Sequence, residues 1–235
     1  MNAEIIAVGS ELLTPFRQDT NSLFLTERLN ALGVEVVFKT IVGDVRENLV
    51  SAARIALSRA GLVIFSGGLG PTEDDLTREA VAEVLELELK RDPEIVAHVA
   101  KLFASRRMKM PDNNLRQADV IAGATMLSNP AGTAPGQWLT PVYEGGQRIV
   151  ILLPGPPHEL KKMFDEQCLE RLAGTVPKLF IATQVRKVAM IGESLLDSRI
   201  APIYTRYPDV QTTILAAAGE IQIHLRARSS SQEEA

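Results

Sequence analysis

Four short segments of the 235-residue sequence place glycine beside carboxylates: Gly9-Ser10-Glu11, Gly43-Asp44, Gly67-Gly68-Leu69-Gly70-Pro71-Thr72-Glu73-Asp74-Asp75, and Pro154-Gly155-Pro156-Pro157-His158-Glu159. Each follows a short apolar run. Acids gathered in one cleft repel one another, and their pKa values rise unless positive charge lies between them. Mg²⁺, Mn²⁺ or Co²⁺ supplies that charge; hard cations such as Mg²⁺ take oxygen ligands and keep several waters. Such an ion also bridges phosphate oxygens and helps form a hydroxide nucleophile. Taken singly, each acid could instead cap a helix N-terminus, where negative charge is favoured.

The third segment is the most informative. Its glycines let backbone approach a ligand with no Cβ in the way, and it leads into a helix N-terminus, a ready anion site. Thr72 can donate to phosphate, whereas Asp74 and Asp75 repel it, so consistent chemistry needs a bridging metal. No Lys-Ser/Thr pair follows the glycines, which excludes a Walker A loop, and the dinucleotide G-x-G-x-x-G pattern is unmet. A second glycine-rich stretch, from Asn129 through Gly132 and Thr133 to Gly136, reads as a ligand-contacting loop in which Asn129 and Thr133 hydrogen-bond sugar or phosphate.

Other reactive residues carry less. His98, His158 and His224 form no pair with metal-ligand spacing, and Cys168 lies inside a helical pattern. No G-x-S-x-G elbow supports serine hydrolysis. One cysteine excludes an internal disulfide framework and suits a reducing, cytoplasmic setting. A net charge of −4 and a pI near 5.5 argue against a broad nucleic-acid face. Apolar runs such as Ile149–Leu153 are strand-sized, far short of the ~18 residues of a membrane helix, and no secretory signal is visible.

The elements that must position these segments alternate. Strand patterns at 4–8, 34–41 and 62–65 interleave with helical patterns at 19–32, 46–59 and 76–85. Asp19 is placed to cap the first helix and Gly33 to end it. Asp92 followed by Pro93 opens a further helix to about residue 107. Segments 137–141 and 148–153 flank the Gly145-Gly146 turn as a hairpin, and 157–172 is helical. Repeated strand–helix units imply a doubly wound α/β domain with a mostly parallel sheet over residues 1–174. Its ligand should lie beyond the carboxyl ends of the strands. From 178 to 235 the pattern becomes β-α-β-β, a smaller α+β domain. Ser230-Ser231-Gln232-Glu233 and the overlapping tetrad ending at Glu234 fit a capping box, which predicts a helix beginning at the chain's end.

At these same loops the sequence resembles the CinA (competence/damage-inducible) family. The third segment, continued through Leu76-Thr77, looks like its signature. Gly9–Leu13, Asp19-Thr20-Asn21-Ser22, Val42-Gly43-Asp44, Asn129–Gly136 and Leu153–Glu159 match its other motifs in order. More distantly, the first domain is similar to molybdopterin-binding proteins of the MogA/MoaB type, whose two functional aspartates fall at Asp44 and Asp75. The resemblance implies a molybdopterin-binding-like fold with a KH-like second domain, and a divalent-metal-dependent ADP-ribose pyrophosphatase acting as a homodimer. Nothing corresponds to the C-terminal domain with which longer members deamidate nicotinamide mononucleotide. The second domain lacks the Gly-x-x-Gly clamp of RNA-binding KH domains, so no nucleic acid is expected. Where many relatives have glycine after Leu13, this chain has Thr14-Pro15-Phe16-Arg17.

The resulting expectation names Asp44, Asp75 and Glu159 as catalytic, and Asp44, Asp74, Asp75 and Glu159 as metal ligands. Glu11, Gly67, Gly68, Gly70, Thr72, Asn129, Gly132, Thr133 and Gly155 are the substrate contacts. The substrate is ADP-ribose or a related nucleotide diphosphate. Two alternatives stay open: a molybdopterin- or nucleotide-binding module without turnover, and a piece of a longer deamidase.

Overall fold

The computed structural model describes residues 1–230, and divides into two compact units, Met1–Leu29 with Val34–Val176, and Asn30–Gly33 with Pro177 onward. The residues of the capping-box tetrads beyond Ser230 lie outside the described residues.

In the first unit, β1 (Asn2–Val8), α1 (Asn21–Ala31), β2 (Glu35–Val42), α2 (Arg46–Arg59), β3 (Leu62–Ser66) and α3 (Thr77–Leu85) follow the alternating pattern read from the sequence. Ser22 N donates to Asp19 Oδ1 at the start of α1, and Gly33, with φ of 73°, ends it. Next come β4 (Leu89–Arg91) and α4 (Pro93–Ser105), whose cap Asp92 accepts from the Glu94 and Ile95 amides. The chain continues through β5 (Asp119–Ile121), β6 (Thr125–Leu127), β7 (Gly136–Leu139), β8 (Val142–Tyr143), β9 (Gly146–Gln147) and β10 (Ile149–Leu153). A helical stretch closes the unit as α5 (Pro157–Met163), a π turn (Phe164–Cys168) and α6 (Leu169–Thr175).

Six strands form the main sheet in the order β2-β1-β3-β10-β7-β6. The first four run parallel, and β7 and β6 add antiparallel. Strands β3 and β10 are buried at every position, as expected where helices cover both faces. On one face Ile6, Val63, Phe65, Val150 and Leu152 pack with Leu49, Ala53 and Leu57 of α2 and Val81 and Val84 of α3. The alternate residues Ile5, Ile64 and Ile151 are equally buried, and period-two alternation points them to the opposite face. Short strands β4, β5 and β6 are additions that the sequence pattern does not announce, because three residues are too few to show a period.

The register decides function. Ala7 pairs with Ser66, Val8 with Val42 and Leu153 with Ser66, so four strands end at one level of one edge. The loops after them leave from that edge.

The second unit, after Pro177, is β11 (Phe180–Val188), α7 (Glu193–Tyr204), β12 (Val210–Ala217) and β13 (Glu220–Ser229), with the antiparallel order β11-β13-β12. This is the β-α-β-β unit read from the sequence. His224 lies on β13 within reach of Gln222. No helix among the described residues is long and apolar enough to cross a membrane.

Gln137 ties the sheet to β5. Its side chain is buried, its Oε1 accepts from Ile121 N at 3.0 Å and its Nε2 donates to Asp119 O at 2.9 Å. Replacing it with Leu strands a buried donor and acceptor, each costing about 1–3 kcal/mol. Gln137→Leu should therefore lower unfolding stability by roughly 2 kcal/mol or more in urea, with the m-value unchanged.

Candidate functional site

The four strand exits surround one cavity of about 660 Å³, lined by Glu11, Asp44, Asp74, Asp75 and Glu159 among others. Acids far apart in sequence thus face a common space. Arg17 is its one positively charged lining residue among those described.

Asp44, Asp74, Asp75 and Glu159 are held by hydrogen bonds from the loops around them. The Asp44 Oδ2 accepts from Ser10 N at 2.7 Å, and Asp44 N donates back to Ser10 Oγ at 3.0 Å. The exits of β1 and β2 are clamped together by that reciprocal pair. Asp75 Oδ2 accepts from Thr72 N at 2.9 Å and from the Thr72 hydroxyl. The hydroxyl lies against Asp74 as well; with the Asp74 backbone amide and the Arg116 charge it holds the Asp74 carboxyl below the usual range. Glu159, in the first turn of α5 and 14% exposed at its side chain, has Oε2 at 2.6 Å from Asn129 Nδ2.

Three glycines make room for these carboxylates. A Cβ on Gly9 would meet the Glu11 carboxylate, one on Gly70 the Asp75 carboxylate, and one on Gly132 the Glu159 carboxylate. Gly67 has a different constraint: its φ is 110°, and a Cβ there would strike the Val8 carbonyl.

The loop after β3 presents its backbone in an ordered way. Gly67 O accepts from the Thr77 hydroxyl at 2.8 Å, Gly68 O from Thr77 N at 3.2 Å, and Leu69 O from Arg78 Nη1 at 2.8 Å. In a trans peptide the N–H points opposite to the preceding C=O. Capture of three successive carbonyls by the start of α3 therefore turns the Gly68, Leu69 and Gly70 N–H groups away from the helix. None of the three donates within the described residues, and all three residues line the cavity. Successive backbone N–H groups turned to one side make a concavity of the kind that suits an anion.

Arg78 is the residue that sequence reasoning missed. It is 1% exposed, burial pushes its guanidinium pKa down against the opposing pull of Glu79, Asp75 and Asp119, and Nη2 reaches Gly70 O at 3.2 Å. Arg116 supports the same loop, donating to Thr72 O and Glu79 at 3.0 Å. Asn21 ties two exits together, donating to Ser66 Oγ at 2.9 Å and Gly155 O at 2.8 Å. The Asp19-Thr20-Asn21-Ser22 motif pointed to Asn21; Arg78, two residues into a helix, resembles any solvated position.

Four of the expected contacts are engaged otherwise within the structure. Asn129 is 4% exposed and fully engaged: its amide donates to Ala134 O and Glu159 while its Oδ1 accepts from Ala131 and Gly132 N–H. It braces Glu159 and has no capacity left for sugar or phosphate. Thr72 lines the cavity, but its hydroxyl proton is committed to Asp75 rather than offered to phosphate. Gly67 gives its N–H to Leu153 O at 2.9 Å, leaving Gly68 to begin the nest. Gly132 does not line the cavity and serves by accommodating Glu159. Glu11, Gly68, Gly70, Thr133 and Gly155 do line it.

The acids do not form a closed metal cage. Among the described residues no three His, Cys, Asp or Glu side chains gather as an ion-holding group. Asp44 Oδ1, Asp75 Oδ1 and Glu159 Oε1 nevertheless accept no hydrogen bond from the described residues. This donor set fits an ion that keeps its waters and shares one or two carboxylates with phosphate oxygens. Asp44, Asp74, Asp75 and Glu159, the ligands named from the sequence, all line the cavity.

Comparison with known proteins agrees with the architecture. Residues 4–174 match the family described as "Probable molybdopterin binding domain". The chain is 59% identical over its full length, and over 57% of the relative, to a CinA-like protein of Koribacter versatilis. A CinA-like protein of Acidobacterium capsulatum is 60% identical over 96% of this chain and 54% of its own length. The chain spans about half the length of these curated relatives. The crystal structure of the protein CinA with unknown function from Thermoplasma acidophilum is 32% identical with a TM-score of 0.65, covering 73% of this chain and 97% of that one.

The carbonyl capture is testable. Thr77→Val keeps the shape but leaves the Gly67 carbonyl without its hydroxyl donor, a loss of about 1–3 kcal/mol for a buried acceptor. Urea unfolding should show that loss, and hydrogen exchange at the Gly67 amide, which donates to Leu153 O, should accelerate; Thr77→Ser should restore both.

Proposed function

The chain belongs to the CinA family, its first unit being the molybdopterin-binding-type domain, and from that premise we propose that the cavity hydrolyses the pyrophosphate bond of ADP-ribose or a related nucleotide diphosphate, giving AMP and ribose 5-phosphate. The observation that carries this reading is the juxtaposition of three undonated N–H groups with acids from separate strand exits around one cavity.

The nest at Gly68, Leu69 and Gly70 would hold diphosphate oxygens. Donors fixed beforehand at a site of growing negative charge favour the transition state without reorganising. Glu159, immobilised by Asn129, would take the proton from a water attacking phosphorus. One P–O bond forms to that water as the bridging P–O bond breaks, and the departing phosphate carries away the bridging oxygen. Asp44 and Asp75 would hold a divalent ion through their free oxygens. When bound, Mg²⁺, Mn²⁺ or Co²⁺ offsets the repulsion between acids and diphosphate and polarises the phosphoryl group.

A second reading follows from the matched family's description: the cavity retains a molybdopterin- or nucleotide-type phosphate without turnover. Turnover separates the two. ADP-ribose should be converted to AMP in the presence of Mg²⁺, Mn²⁺ or Co²⁺, and chelation should abolish the reaction. Asp75→Asn keeps an acceptor for Thr72 but removes the charge, and should slow turnover about a hundredfold or more. Equal rates for wild type and Asp75→Asn would remove Asp75 from the chemistry; tight binding with no product would favour the second reading.

A further inference from the structure

A second cavity of about 510 Å³ adjoins the acid-lined one. The two share Val8, Glu11, Arg17, Gly155 and Pro157 in their walls, so they are neighbouring compartments of one cleft. Their characters differ. The first is lined by acids and the glycine nest, whereas the second is bordered by Leu12, Pro15 and Phe16 together with Gln18, Asp19 and Thr20.

Phe16 is 88% exposed and has no ring partner among the described residues. An unpaired aromatic face on a cavity wall is a surface for another π system. Pro15 before it limits backbone freedom, and the Phe16 amide reaches the Thr14 hydroxyl at 3.4 Å, so the strap carrying the ring is locally constrained. Arg17, the next residue, is in the shared wall and forms no ion pair among the described residues. A free cation at the junction, an aromatic face on one side and an anion nest on the other match the order of parts in a nucleoside diphosphate.

We propose that this second cavity is the nucleobase subsite of the cleft, with Phe16 stacking on the base and Arg17 meeting the phosphate nearest the nucleoside. The proposal deepens the pyrophosphatase reading and rests on it for the diphosphate's location in the central cavity. It makes the Pro15–Phe16–Arg17 strap a specificity element: compounds ending in a bare phosphate lose the stacking contact, and those ending in an aromatic base keep it. Gln18 and Asp19 supply acceptors at the same wall for an exocyclic amine.

The test uses two ligands that resist hydrolysis and differ only in the nucleoside, α,β-methylene-ADP and methylenediphosphonate, titrated calorimetrically with Mg²⁺. Stacking of one base on an aromatic ring is worth about 1–3 kcal/mol to alanine substitution, which corresponds to roughly 5- to 150-fold in affinity. Phe16→Ala should therefore weaken α,β-methylene-ADP by at least about fivefold and leave methylenediphosphonate unaffected, while Phe16→Tyr restores the preference. Equal weakening of both ligands, an unchanged preference, or no binding of α,β-methylene-ADP by wild type overturns the subsite. If ADP-ribose is never hydrolysed yet Phe16 still governs the preference, the hydrolytic reading fails and the subsite stands. If ADP-ribose is hydrolysed with a KM indifferent to Phe16→Ala, the subsite fails alone.

Discussion

The parallel register of β2, β1, β3 and β10 is the constraint from which the site follows. Val42, Val8, Ser66 and Leu153 end level with one another, and each next residue must turn out of the sheet at the same edge. The crowding there is measurable: Gly67 N donates to Leu153 O, Gly9 N donates to Val42 O, and a Cβ on Gly67 would strike Val8 O. Glycine at the β3 exit is a steric requirement of this close crossing. Shifting any one strand by a residue would turn every side chain to the opposite face of the sheet, so the packing of helices on both faces fixes the register and thereby brings the acids together.

The two glycine-rich loops then do different work. After β3, the start of α3 draws three carbonyls inward and leaves three amides outward, so that loop presents fixed positive dipoles. Around Asn129 the side chain gathers the Ala131 and Gly132 amides to itself and holds Glu159, so that loop presents a braced carboxylate. Composition alone makes the two loops look alike. The difference lies in which partner captures each carbonyl and amide.

That difference marks how far the sequence could be read. The strand exits, the Asp19 cap, the helix of residues 46–59 and the Asp92 cap were all legible, because periodicity and capping are local properties. The convergence of Asp44, Asp75 and Glu159 was legible through topology, since parallel strands share a carboxyl edge. The use of each polar group was not. Asn129 and Thr72 are types that bind phosphate or sugar, and only the fold reveals that Glu159 and Asp75 already occupy them. Arg78 was hidden for the opposite reason: arginine in a first helical turn reads as solvated, whereas here it is buried beneath a loop whose Leu69 and Gly70 carbonyls replace water around its charge.

The cavity wall holds five carboxylates and one arginine, while Arg78 lies buried behind the loop. Under the proposed reading, an entering diphosphate would meet repulsion from the acids, attraction from the three-amide nest and from Arg17, and little else of positive sign. Amide dipoles act over short range, so they choose where the anion rests but do not cancel several full charges around it. A cation travelling with the diphosphate would balance that account, and the free oxygens of Asp44 and Asp75 are ligands of the kind such an ion takes. The same imbalance explains why a metal cage closed by protein alone would be the wrong design here: an ion bound by all the acids would leave no coordination for phosphate, and the nest would have nothing to orient.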